Sequence, residues 1–274
     1  MSERTPIRIR TDKYASPLFV EREEKQNLEV PPDCLQQYPL LAEHCDLTAH
    51  ADALRWLAYT RKISLHSIAK FQLRLFVDPV LDEVGVIFPI LSRDASRVLD
   101  MWVRMIDQKK FFRLSREFSG SQTDYHAPNL WFGNHLMTTD RPAVLVEGAL
   151  DALRLDTLGV QNCHASLGEP SREQISSLYA PAVYLGFDGG GDRAGNRYTK
   201  KMLENLQVSA ISLLDWGVVG IKDAGDLESE AQLRAVFDAR IKILKSQKTK
   251  TERRGKEEDP VASVLRGKKD DTFL

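Results

Sequence analysis

The acidic side chains best suited to chemistry fall in three short strings. Glu147 closes the apolar run at 143–146. Asp188 closes the run at 182–187 and is followed, after three glycines, by Asp192. Asp223 and Asp226 share a polar loop behind Lys222. Carboxylates are hard oxygen donors, and a converging set suits Mg²⁺ or Mn²⁺ rather than zinc. Their mutual repulsion makes such a set costly unless a cation or a basic partner neutralises it. Gly189, Gly190 and Gly191 allow a tight turn and the close approach of a phosphate. A helix starting near Arg193 would aim its free N–H groups at the same place. One acid at a strand end is an ordinary solvated loop residue, whereas three such strings at one edge point to metal-assisted phosphate chemistry.

Such an edge needs a particular scaffold. After Pro142 the pattern alternates, predicting strands at 143–146, 163–166, 182–187 and 209–213. Helices are predicted between them at 149–158, 171–179 (begun by Ser171) and 193–206. This α/β order implies a mainly parallel sheet sandwiched by helices, whose ligands sit at the carboxyl ends of the strands. Upstream, helices are expected at 51–60 and 65–71, the second capped by Ser64. Buried strands follow at 84–89 and 97–106, with a turn at Asp94-Ala95-Ser96. Residues 108–133 are basic, aromatic and polar without clear periodicity. Prolines 6, 17, 31, 32 and 39 make residues 1–50 an irregular lead-in. The resulting division is a lead-in at 1–50, a basic mixed α+β subdomain at 51–140, an acid-bearing α/β domain at 141–240 and a charged tail at 241–274, expected to be disordered from about residue 245. No internal repeat is present.

Composition narrows the class. The 274 residues are 42% apolar and 28% charged, enough for a real core and too much for wholesale disorder. No apolar run reaches the roughly eighteen residues of a membrane helix, and no apolar segment follows the basic start MSERTPIRIR. Cys34, Cys45 and Cys163 form no CxxC pair, so neither a disulfide framework nor a zinc ribbon is expected; a reducing cytoplasm is. The spacing of Cys34, His44, Cys45 and His50 matches no common zinc site. The net charge of -1 hides an uneven distribution. Residues 54–116 hold twelve Lys or Arg against six Asp or Glu, and residues 141–230 hold eight against thirteen. A basic block beside an acidic one suits a nucleic-acid enzyme with a metal site.

These strings resemble a known family. VLVEGALDAL (144–153) is similar to the first signature of TOPRIM domains, in which a strand ends in Glu-Gly and an acid, here Asp151, follows one helical turn on. FDGGGDRAG (187–195) resembles the second signature and KDAGD (222–226) the third. HASLG (164–168) is similar to the Ala-Ser-Leu-Gly turn of DnaG-type primases. Upstream, ALRWLAYTRKISLHSIAKFQL and GVIFPILSRD resemble the helix pair and Phe-Pro-Ile strand of bacterial and phage primases, and Trp102-Val103-Arg104 stands where those enzymes place a Gly-Arg pair. The resemblance covers about residues 51–230, nearly a whole primase catalytic core. It implies a TOPRIM-type parallel sheet preceded by a smaller primase N-terminal subdomain.

It also implies an activity: synthesis of short RNA primers from ribonucleoside triphosphates on single-stranded DNA, with Mg²⁺ or Mn²⁺. Glu147 would bind metal and activate the attacking 3′-hydroxyl, Asp188 and Asp192 would hold the metals, and Asp223 and Asp226 would complete the site. Lys110 stands where primases have a phosphate- or template-contacting Lys. Arg104, Lys109, Arg113, Arg116 and Lys222 complete the expected nucleotide and template surface. Phe111, Phe112 and Trp131 either stack bases or, the bulkier expectation, fill the core. His126 and His135 are expected to be structural. Three departures stand out: the second motif is two residues longer than Asp-x-Asp, Ala127 replaces an expected Lys, and Gly225 replaces a frequent Asp. A helicase, a DNA polymerase or a single-strand-binding protein is the expected partner, with Asp270-Asp271-Thr272-Phe273-Leu274 as a docking tip. Compactness suggests a phage or mobile-element enzyme. The alternatives are a TOPRIM nuclease and a catalytically weakened replisome adaptor that binds single-stranded DNA.

Overall fold

Two sheets of opposite construction share one core. The computed structural model describes residues 34–43, 48–78, 80–114, 130–188, 193–208 and 210–244. The first sheet is an antiparallel meander of β1 (Arg74–Val77), β2 (Val84–Leu91), β3 (Val98–Met105) and β4 (Phe111–Arg113), in that spatial order. The second contains β5 (Ala143–Val146), β6 (Cys163–Ala165), β7 (Ala182–Leu185), β8 (Ala210–Leu213) and β9 (Ile241–Leu244) in the order β6-β5-β7-β8-β9. Its first four strands run parallel, and β9 pairs antiparallel with β8 along the edge. Strand order reverses between β5 and β7, the switch point where open α/β sheets bind ligands.

Side-chain alternation explains how the core divides. Val144 and Val146 of β5 face a cluster shared with Val86 and Phe88 of β2, while Ala143 and Leu145 face a second cluster with Ile175, Met202 and Leu206. A strand covered on both faces must be apolar throughout, as β5 is. On the first sheet, Ile87, Met101, Val103 and Met105 point the other way and are covered by Cys34 and Leu35. Residues 34–43 are therefore docked rather than loose. The Leu75 amide donates to Pro39 O at 2.9 Å, and the Leu41 amide to Leu73 O at 2.9 Å. Cys34 packs its thiol against the Met101 sulfur.

The helices are α1 (Thr48–Arg55), α2 (Leu65–Lys70), α3 (Ala149–Thr157), α4 (Arg172–Ser176), α5 (Arg193–Asn205) and α6 (Glu230–Asp238). The helix expected at 51–60 starts earlier and opens into a π-turn over Trp56–Thr60. Ser64 caps α2 by accepting the Ser67 amide at 3.1 Å, and Ser171 caps α4 by accepting the Gln174 amide at 3.0 Å. Helix α3 ties the two halves together. Arg154 donates to Lys62 O at 2.6 Å and Leu227 O at 2.8 Å. Asp156, two residues on, pairs with Lys70 and accepts the Ser67 hydroxyl at 2.7 Å. Among the described residues no helix is long and apolar enough to cross a membrane.

Candidate active site

The acids converge because strands deliver them. Strand β5 ends at Val146 and β7 at Leu185, on either side of the switch point, so Glu147 and Asp188 leave the same edge of the sheet. The Glu147 carbonyl accepts the Leu167 amide at 2.9 Å, linking the first acidic turn to the 164–168 turn. Behind Asp188 the start of α5 comes very close: a Cβ on Gly195 would lie 1.9 Å from Asp188 O, so only glycine fits there. The Trp216 indole donates to Gly186 O at 3.0 Å and steadies the same strand end from the other side.

Asp151 joins the motifs. At the third position of α3, it accepts the Gly148 amide at 3.0 Å through one oxygen and the Gly225 amide at 2.9 Å through the other. The first bond completes the start of a helix in the manner of a capping acid. The second reaches a turn 74 residues downstream. Burial, then Asp223 and Asp188, push the Asp151 carboxyl up to about 8. Burial, then Asp226 and Asp188, raise that of Asp223 as well. The departure at Gly225 now has a steric reason, since a Cβ there would stand 2.8 Å from Asp151 Oδ1 and 3.1 Å from Asp223 Oδ1.

A cleft of about 350 Å³ opens between this edge and the first sheet. Asp151, Asp223 and Asp226 line one wall; Arg61, Phe88, Arg104 and Phe111 line the other. Burial and then Arg61 draw the Arg104 guanidinium below its ordinary value, so the two cations are close neighbours. Lys222 reaches Asp188 at 3.2 Å.

Not all the expected residues meet. Glu147, Asp188, Asp223 and Asp226 belong to one edge, and Arg104 faces it. Lys110 does not: its Nζ lies 5.2 Å from the centroid of the Phe112 ring, which packs edge-on against Phe76 on the far face of the sheet. Lys109 is exposed beside it and does not line the cleft. Arg113 shares Arg104's face but is held by Asp100 at 3.0 Å and lies over the Trp102 ring. Trp131 is fully buried, its indole bonded to Gln174 O, so it is a core residue. His135 reaches Lys70 O at 3.3 Å, away from the acids. Asp192, Arg116, His126, Ala127, the glycines 189–191 and the 270–274 tip lie outside the described residues. Asp151's bridging role and Arg61 were not singled out by the sequence reading. The Gly-x-x-Asp spacing at a helix start signals the first, whereas Arg61 carries no local signal.

Among the described residues no three His, Cys, Asp or Glu side chains stand close enough to enclose an ion. The donor chemistry nonetheless fits a hard divalent cation: these carboxylates hold one another in the protonated direction, a cost that such a cation relieves.

Comparison with known proteins agrees with the geometry. Residues 144–227 match the Toprim-like family. No curated protein matches the chain by sequence. Among solved structures, the primase fragment of the bacteriophage T7 primase-helicase superposes with a TM-score of 0.52 at 19% identity, covering 65% of this chain and 71% of that one. A DnaG primase catalytic domain bound to ssDNA gives 0.54 at 19% identity, covering 72% and 74%. The E. coli primase catalytic core gives 0.53 at 18%, covering 77% of each chain. The α/β architecture is thus that of primase catalytic cores, with a Toprim-like domain at its acidic edge.

Proposed function

We propose, from a Toprim-like domain set in a primase-type fold, that this protein is a DNA primase, a nucleotidyltransferase that joins ribonucleotides into short RNA primers on single-stranded DNA. The observation that carries this reading is the cleft in which Asp151, Asp223 and Asp226 face Arg61 and Arg104. Phosphoryl transfer asks a protein mainly for positioning and for cationic relief of charge on the transferring group, and the two walls suit those tasks.

In this reading Arg61 and Arg104 receive the triphosphate of the incoming nucleotide. Asp188, Asp192, Asp223 and Asp226 would hold Mg²⁺ or Mn²⁺, and Lys222 would leave Asp188 for a phosphate oxygen. Such a cation, when bound, stabilises charge on the attacking and leaving oxygens. Glu147 accepts the proton of the attacking 3′-hydroxyl and contributes to cation binding. Asp151 is a positioning residue, since its two oxygens fix the Gly148 and Gly225 turns that present the other acids. The template wall belongs to a subdomain at 51–140 and the acids to a catalytic domain at 141–240. The T7 relative is part of a primase-helicase and the DnaG relative was solved with ssDNA. By the same logic this chain works on a single-stranded template beside a helicase, a polymerase or a single-strand-binding protein.

Primer synthesis tests the proposal. Purified protein, single-stranded DNA, labelled ribonucleotides and Mg²⁺ or Mn²⁺ are incubated beside Glu147→Gln and Asp188→Asn. Short RNA that disappears in both variants is the expected result. Glu147-dependent degradation of the template instead would make the protein a nuclease. If neither activity appears, even with a helicase or single-strand-binding protein added, the replisome-adaptor reading becomes the one to pursue.

A further inference from the structure

Among the described residues, Phe111 is the one aromatic ring of the cleft wall that is not absorbed into the core. Phe112 packs on Phe76, Trp131 is fully buried, and Phe88 lies at the cleft floor with no exposure. Phe111 is 40% exposed and lines the cleft alongside Arg61, Arg104 and the acids.

Its exposed position is supported from behind. In the β3–β4 register Trp102 pairs with Arg113 and Arg104 with Phe111, so alternation puts all four side chains on the face that looks at the acidic edge. Phe111 stacks on Trp102 with ring centroids 4.7 Å apart and planes 22° from parallel. Trp102 is in turn fixed: its indole N–H donates to Asp100 Oδ2 at 3.1 Å, and the Arg113 guanidinium lies 4.8 Å from its ring centroid while forming an ion pair with the same carboxylate at 3.0 Å. Asp100 is 1% exposed. A buried carboxylate, an indole and a guanidinium thus hold an exposed phenyl ring at the mouth of a cleft whose other groups suit phosphate.

A ring supported in this way, beside paired guanidinium groups, suits a flat aromatic ligand that carries phosphate. Base–aromatic stacking supplies affinity to any base, because every base has a π-face. We infer that Phe111, backed by Trp102, is a stacking platform for a nucleobase whose phosphates are taken by Arg61 and Arg104. The inference rests on the reading of the cleft as a nucleotide site. The base belongs either to the template strand or to the incoming nucleotide, and the two sources are separable.

Dissociation constants are measured at fixed salt for four probes: an oligo-dT strand, an abasic strand of equal length, ATP with Mg²⁺, and inorganic tripolyphosphate with Mg²⁺. Phe111→Ala is expected to weaken a base-bearing probe about 5- to 100-fold and to leave its base-free counterpart unchanged. Phe111→Trp restores binding, and its exposed indole is quenched by the base. An effect on oligo-dT assigns the platform to the template, and an effect on ATP assigns it to the nucleotide. Equal losses with and without a base, or no loss in either pair, overturn the platform. Primer synthesis followed on the same samples separates the two claims. Normal synthesis with Phe111-independent base binding removes the platform alone, whereas Phe111-dependent base binding without synthesis removes the primase reading alone.

Discussion

The two walls of the cleft are built by different rules. The acidic wall stands beyond strand ends: the turns and the helix start that follow the parallel strands carry Glu147, Asp151, Asp188, Asp223 and Asp226. The facing wall is mostly sheet, where period-two alternation and cross-strand register turn Phe88, Arg104 and Phe111 inward, joined by Arg61 from the connection before α2. Moving a residue by one position along an acidic turn shifts it slightly. The same step on the facing sheet sends it to the opposite side. An acid in a turn beyond a strand is therefore less sensitive to a one-residue shift, whereas the basic and aromatic wall is strict about register.

That contrast is open to direct attack, beginning with Asp151. Asp151→Asn cannot accept both amides as the carboxylate does, and it should cut primer synthesis about 10- to 100-fold, the usual effect of losing a group that orients ligand residues. A smaller effect on kcat than on the Mg²⁺ concentration needed for half-activity would show that Asp151 acts through the cation site. Gly195→Ala probes how closely α5 is seated behind the acidic turn. With its Cβ 1.9 Å from Asp188 O, the backbone must move, and calorimetry should show a loss of about 1–3 kcal/mol. A Tm equal to that of the parent would mean the helix start yields freely.

A gentler prediction concerns pH. Asp151 titrates at about 8 in the fold against 3.8 ordinarily, so between those values the folded chain binds more protons than the unfolded one. Stability of the metal-free protein should fall as pH rises from about 4 to about 8, with Asp223 acting in the same direction. Asp151→Asn should flatten the slope measured in EDTA, and Mg²⁺ should flatten it in the parent. A Tm that rises across this window would exclude the effect. The smallest change is expected at Lys110, whose ammonium lies over Phe112 on the outer face. Lys110→Ala should alter primer synthesis by no more than roughly two-fold, as for an exposed cation outside the site. Arg104→Ala, one strand over and facing inward, serves as the contrasting control.

The same difference in construction explains what could be read in the chain. The parallel half was legible because each strand, turn and helix start carries its own local signal, and Glu147, Asp188, Asp223 and Asp226 follow in order. Strands β1 and β4 were missed. In β4 only three residues pair, and Phe111-Phe112-Arg113 shows no alternation to the eye. Helix α6 and β9 also went unread; β9 begins at Ile241, where the composition already turns towards the charged tail. Lys110 was assigned to the nucleotide surface on resemblance, and its side follows from pairing that no linear pattern displays. Asp151's second bond escaped for a related reason, since its partner is a main-chain amide in a distant turn.

Helix α3 has a consequence for how fast the cleft can be filled. Arg154 grips Lys62 O and Leu227 O while Asp156 grips Ser67 and Lys70, so one rigid rod fastens the segment carrying Arg61 to the turn carrying Asp226. Walls joined in this way are expected to move together rather than swing apart like jaws. On the proposed reading, a template strand would enter by sliding along the slot. Loading should therefore follow ionic strength closely, as a diffusive and electrostatically guided event, without the lag of an opening step.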